Sequence, residues 1–275
     1  MASESPAPDP GPRFARRGFL AGAALAVGAL VTACGDGGSS AQGSPSTSAG
    51  STPTSPPATT APATVPPTTA PGPAQFVDTG PDEFGRVALT FHTSGDLGLA
   101  QQLLDVLAAH DAHITSFIVG SWLAANPDWA KKLTDAGHEL ANHTYTHPTF
   151  SSLSPQQMTT EITQCRDLLV RLTGSGGRYF RPSGTDDGTS TPAEIVLDLA
   201  GQAGYPVVLG FDCDPLDYQD PGADVVAQRT LATVHAGSII SLHFDHPGTI
   251  AAMPAILDGL AQRNLKPGTA SALLA

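Results

Sequence analysis

Hydrophobic and polar positions between residues 76 and 275 follow two rhythms. Short apolar runs of strand length lie at 87–91 (VALTF), 114–119 (ITSFIV), 139–141, 179–181, 207–211 and 238–242 (SIISL). Between them, apolar residues recur at helical spacing over 97–109, 128–136, 155–172, 192–203, 224–234 and 251–263, the 3.6-residue period of a helix with one buried face. Ser154 followed by Pro155 predicts a capped start for the longest of these helices. No internal repeat is visible. Strand and helix in alternation, joined by short connections, predict an α/β domain with a parallel sheet covered by helices, open or closed into a barrel. In such folds the functional side chains gather at the C-terminal ends of the strands.

The first 75 residues read differently. An uncharged apolar run of 16 residues, 18–33, follows Arg16-Arg17 and ends at Val31-Thr32-Ala33-Cys34. A bilayer span takes about 20 residues, so the run reads as a removable signal rather than a lasting membrane helix. The twin arginine resembles a Tat export signal, and Val-Thr-Ala-Cys resembles a bacterial lipobox. That resemblance implies cleavage before Cys34, lipid on Cys34, and anchoring to the outer face of the cell membrane, towards the wall. From 39 to 75 there is no charged residue, and nine of the 25 prolines fall there. A segment with no apolar face to bury predicts an extended linker, with a reach on the order of 100 Å at about 3.1 Å per residue. The organisation expected is a signal over 1–34, a linker over 35–75 and one folded domain, a monomer, over 76–275.

Charge removes one class of function. Thirteen Lys and Arg stand against 25 Asp and Glu, a net charge of −12, with no basic block; a nucleic-acid partner needs a basic footprint. Of the three cysteines, Cys165 and Cys213 remain once Cys34 is assigned to lipid, enough for one disulfide in an oxidising compartment.

The candidate chemistry begins with His143 and His147 in the stretch GHELANHTYTHP. A spacing of four puts two imidazoles on one side of a single helical turn, with Pro148 disfavouring helix beyond it. Neutral imidazole is a ligand for zinc, cobalt or nickel. The stretch resembles the second motif of NodB-type polysaccharide deacetylases, whose paired histidines bind a divalent metal. Further motifs follow in that family's order. Arg181-Pro182-Ser183-Gly184 resembles its arginine motif, Asp214-Pro215-Leu216-Asp217-Tyr218 resembles DxxDW with Tyr for Trp, and Ile240-Ser241-Leu242-His243 resembles its last motif. Leu89-Thr90-Phe91 matches the start of the first. The resemblance runs from about Arg86 to Leu265 and implies a deformed (β/α) barrel.

It also implies a metal-dependent hydrolase that removes acetyl groups, N-acetyl foremost, from a cell-wall or other extracellular polysaccharide such as peptidoglycan or a chitin-like glycan. A divalent metal, zinc first, would sit on His143 and His147 and polarise the acetyl carbonyl. His243 would protonate the leaving amine, Asp217 would orient His243, Leu242 would line the acetyl pocket and Tyr218 would present a flat wall to the sugar. The first motif departs from the pattern. The family reads TFDDG there, a base followed by a metal ligand, whereas this chain reads Thr90-Phe91-His92-Thr93-Ser94-Gly95-Asp96. Two arrangements follow: His92 joins the two histidines as a third ligand, or Asp96 folds back as the ligand and His92 acts as base. In either, Arg181 faces His92 and keeps it neutral. A rival reading is a surface glycan-binding protein that keeps the scaffold without catalysis.

Other polar and aromatic residues take plainer expectations. His138 reads as structural, and His110, His113, His235 and His246 as surface or packing histidines. Trp122 and Trp129 read as core, Asp186 and Asp187 as a solvated loop pair, and Asp212 and Asp214 either as residues of the pocket rim or as turn residues.

Overall fold

The structure is a computed structural model that describes residues 72–185 and 187–275. Cys34, the signal and the linker up to residue 71 lie outside the described residues. Eight strands form one sheet: β1 (Gln75–Val77), β2 (Arg86–His92), β3 (Thr115–Ile118), β4 (Glu139–Asn142), β5 (Tyr179–Phe180), β6 (Val207–Leu209), β7 (Ile239–His243) and β8 (Lys266–Gly268). The order is β1-β6-β5-β4-β3-β2-β7, every pairing is parallel, and β8 pairs with the start of β2. Parallel pairing requires crossovers, and the helices supply them: α1 (Leu97–Ala109), α2 (Gly120–Ala125), α3 (Asp128–Asp135), α4 (Pro155–Thr173), α5 (Glu194–Gln202), α6 (Ala223–Thr233), α7 (Pro247–Gln262) and α8 (Ala270–Leu273). The sheet curls without full closure; isolated bridges at Thr79–Ser238 and Cys213–Ile240 mark where its two ends approach. It is the deformed α/β barrel expected.

Strand alternation sorts the side chains into two layers. On β2, Val87, Leu89 and Phe91 face the helices, while Ala88 belongs to the barrel interior and His92 opens into a pocket. On β7, Ile240 and Leu242 face the helices, while Ile239 joins the interior and Ser241 and His243 line the same pocket. Ala270 and Leu273 of α8 pack into the interior beside Ala88, Ala141 and Tyr179 and form its floor. Glu139 fixes that floor, accepting from the hydroxyls of Thr115 (2.7 Å) and Ser271 (2.5 Å).

Local signals account for the helix ends. Ser154 caps α4 in a capping box with Gln157, Pro155 occupies the first turn, and Gly174 ends the helix at φ 80°. The two folded-domain cysteines are free and separately buried, so no disulfide forms between Cys165 and Cys213. Cys165 Sγ lies 3.3 Å from the Ile118 carbonyl and Cys213 Sγ 3.1 Å from the Thr233 hydroxyl. Burial pushes the two thiols up to about 12 and about 11. Trp122 and Trp129 pack edge to face at 5.5 Å, as core residues.

Candidate active site

The C-terminal strand ends enclose a pocket of about 470 Å³ lined by His92, His143, His147, Ser241 and His243, with Val119 and Phe211 as apolar wall and Ser94, Asp214, Tyr218, Asp245 and His246 among the rest. That size lies within the usual range for small-molecule sites.

Arg181 organises its base. The side chain is fully buried, with its guanidinium 3.9 Å from the Phe117 ring centroid and 5.1 Å from that of Phe211. Nε donates to Leu209 O (2.9 Å), Nη2 to Gly210 O (2.8 Å), and Nη1 to Thr90 Oγ1 (2.9 Å) and His92 Nε2 (3.1 Å). Burial lowers its pKa to about 9, with Asp214 opposing, and the group stays cationic at neutral pH. Arginine can only donate, so His92 Nε2 must accept, which leaves the proton of neutral His92 on Nδ1. From there it donates to His243 Nε2 (2.9 Å), and His243 Nδ1 in turn donates to Asp217 Oδ1 (2.8 Å). Asp217 Oδ2 also accepts from the His243 amide (2.8 Å) and the Thr249 hydroxyl (2.7 Å). One donor-only group thus sets the direction of the chain Arg181, His92, His243, Asp217.

His92 is held neutral. Burial lowers its pKa first, followed by the neighbouring imidazoles of His143 and His243 and then by Arg181. The expected influence of Arg181 has the expected sign, behind desolvation. Burial likewise lowers His143, partly opposed by its hydrogen bond to the Arg181 carbonyl (2.9 Å). That bond takes the Nδ1 proton of His143 and leaves Nε2 with a lone pair.

His143 and His147 do meet, with ring centroids 4.8 Å apart at 66°. A helical turn is not what joins them. The chain bends through Thr144 (φ 68°) and His147 (φ 58°), both left-handed, and Glu161 holds the bend by accepting from the amides of Tyr145 and Thr146.

The third-ligand expectations are not met in this geometry. Asp96 is exposed and caps α1, accepting from the amides of Gly98 (2.8 Å) and Leu99 (3.1 Å). His92 stacks on His143 at 4.1 Å and 14°, with both nitrogens engaged elsewhere. Two imidazoles on one tetrahedral ion hold their ring centroids about 5 Å apart, given Zn–N bonds of about 2.0 Å; the His143–His147 pair meets that spacing and the His92–His143 pair does not. Thr93, where the family motif has its second Asp, is buried, and its hydroxyl accepts from the Val119 amide (3.0 Å). Among the described residues no three His, Cys, Asp or Glu side chains are grouped to hold a metal. The residues present fit two ligands of a divalent ion, not the three protein ligands of a catalytic zinc site.

Leu242 is another correction: strand parity turns it into the helix layer, fully buried, and the pocket's apolar wall is Val119 and Phe211 instead. Tyr218 stands at the rim, 45% exposed, its ring 5.6 Å from that of His243. His138 is structural as expected, accepting from the Ile114 amide (3.3 Å). Asp245 is a pocket residue with no assigned role in the sequence, Asp214 lies at the pocket as one of its two expectations had it, and His246 departs from its expectation. His246 is no mere packing residue: it lines the pocket and bonds to Asp220 (2.8 Å), and Asp214 and Asp245 line it too. Their signal was position, immediately past the ends of β6 and β7.

The model of a polysaccharide deacetylase matches residues 79–208. A peptidoglycan-N-acetylglucosamine deacetylase of Bacillus cereus is 30% identical over 192 residues, covering 68% of this chain and 87% of the relative. The chain belongs to the polysaccharide deacetylase family. A chitooligosaccharide deacetylase of a Bradyrhizobium strain is 32% identical over 165 residues, 58% of this chain and 71% of the relative. Among solved structures, a CE4 family pseudoenzyme from Bacillus anthracis superposes with a TM-score of 0.67 at 25% identity, covering 73% of this chain and 69% of that one. Matches to two further relatives span 52% and 58% of those proteins' lengths. The family thus includes deacetylases of peptidoglycan and of chitooligosaccharides, and a pseudoenzyme shares its fold.

Proposed function

We propose that the pocket receives an amino-sugar unit of an extracytoplasmic polysaccharide, peptidoglycan or chitin-like, and that the chain holds this glycan instead of hydrolysing it at the rate of an active deacetylase. The observation that carries this reading is the engagement of His92 by Arg181 on one side and His243 on the other. A general base needs a free lone pair within reach of water. Here the lone pair of His92 is held by Arg181, and that of His243 receives the proton of His92. Thr93 in place of a ligand carboxylate points the same way. Tyr218 offers a flat rim to a sugar ring, and Val119 with Phe211 offers an apolar wall. The signal, Cys34 and the linker support a lipid-anchored protein facing the wall.

A second reading, hydrolysis of the acetyl group with a divalent metal on His143 and His147, is favoured by one observation. The Asp217–His243 pair retains the geometry of an oriented acid, with a carboxylate on Nδ1 at 2.8 Å. The two readings separate in one experiment on the purified protein, with and without added zinc, cobalt or nickel. Retention on partly de-N-acetylated chitin or on peptidoglycan should occur while acetate release stays below about a hundredth of that of an active relative, the loss of an interaction worth roughly 2.7 kcal/mol. Release at the relative's rate would hand the site to the hydrolase reading. Absence of retention on either polymer would remove the glycan reading.

A further inference from the structure

Four side chains at the base of the pocket, Arg181, His92, His143 and His243, already donate to protein acceptors. All three guanidinium nitrogens of Arg181 donate to protein acceptors, the Nδ1 proton of His92 goes to His243, that of His243 to Asp217, and that of His143 to the Arg181 carbonyl. The acceptors have not been spent in the same way. His143 is only 2% exposed, lines the pocket, and has no partner for Nε2 among the described residues. Asp214 Oδ1 takes the Leu216 amide (2.8 Å) and Asp245 Oδ1 takes the Ser94 hydroxyl (2.8 Å). The second oxygen of each carboxylate has no hydrogen bond among the described residues, and both residues line the pocket. An acetamido carbonyl asks a site for donors; an ammonium group brings three donors and a positive charge.

We propose that the pocket selects the protonated primary amine of a de-N-acetylated amino sugar over its acetamido form, with His143 Nε2 and the free oxygens of Asp214 and Asp245 as acceptors. The proposal rests on the glycan reading above and names its ligand: the product side of the reaction that the relatives are named for. Removing acetyl groups turns a neutral glycan into a polycation, and a chain of net charge −12 attracts one. The hydroxyls of Ser241 and Tyr218 remain for ring oxygens, since a hydroxyl can donate or accept.

The test is calorimetric titration of the full chain with the tetramers of glucosamine and of N-acetylglucosamine, at pH 6.5 in chelator-treated buffer. The glucosamine tetramer should bind at least about tenfold more tightly, the yield of one charge-assisted hydrogen bond. Asp245→Asn and Asp214→Asn should each lower that ratio severalfold, with the circular dichroism spectrum unchanged. Asp245 is the safer probe because its side chain is 32% exposed. Equal or tighter binding of the acetylated tetramer would overturn the amine preference and leave the glycan reading standing. A preference that persists undiminished in both variants would also overturn it, by assigning the attraction to the general acidic surface. If neither tetramer binds, the glycan reading itself falls.

Discussion

At residue 92 a single side chain rewires its neighbours. An imidazole can accept and donate at once, so His92 links Arg181 to His243, where a carboxylate would only accept from both. The position of the substitution was plain in the sequence, as was the pressure of Arg181 towards a neutral ring. The route of the proton was not, because a ring's tautomer depends on which donor faces it in three dimensions. We expect nitrogen-15 spectra of the histidines to show Nδ1–H tautomers for both His92 and His243 at pH 7.5. An Nε2–H signal from His243 would break the chain.

The same burial sets a pH dependence. His138 is lowered to about 4 by burial, with His113 adding to the effect, and burial also lowers His92 and His143 at the site. Unfolded histidine titrates near 6.5, so below that pH the unfolded chain binds protons that the folded chain refuses. Stability is then fully present above about pH 6.5 and is lost as the pH falls towards the folded values. At about 1.4 kcal/mol per unit, His138 alone contributes on the order of 3 kcal/mol across that window. Urea midpoints at pH 7.5 and 5 should therefore differ clearly, and His138→Gln should reduce the difference.

Among the elements, the helices with strong local signals and even the short strands β4, β5 and β6 were legible, whereas β1, β8 and α8 were not. The helix over 97–109 and the start of α4 at Pro155 match the structure because capping and apolar period agree there. α7 begins at Pro247, four residues before its expected start; a proline in the first turn was its missed signal. β1, β8 and the four-residue α8 carry too few apolar positions to show a period. Leu242 went astray through parity: in a strand its neighbour His243 must face the opposite side. The bend carrying His143 and His147 depends on left-handed Thr144 and His147, which no spacing rule reveals. Asp96 gives an element-scale prediction. As the cap of α1 it should tolerate Asp96→Asn with little change, whereas Asp96→Ala should cost about 1 kcal/mol in chemical denaturation. A large loss of metal binding in Asp96→Asn, with stability intact, would restore it as a ligand.

For the molecule as a whole, the parallel sheet, its helices and the strand-end site were readable from alternation alone, because a βα rhythm admits few topologies. The strand order was not, since the pairing of β2 with β7 and β8 joins segments far apart in sequence. Attachment is a separate expectation carried by Cys34. Cys34→Ala should move the protein from the membrane fraction to the medium, and persistence in the membrane would make the apolar run at 18–33 a span.

The long-range pairing of β2 bears on how the chain is made. β2 is complete at His92, yet its partner β7 ends at His243 and the helix that floors the interior ends at Leu273. At about 5–20 residues per second, a ribosome needs on the order of 10–35 s to supply them. Through that interval one edge of an apolar strand waits without its neighbour, and an unpaired edge invites association with other chains. A nascent chain of this design has most to gain from a chaperone during the synthesis of its second half, when β2 is made and its barrel has no floor.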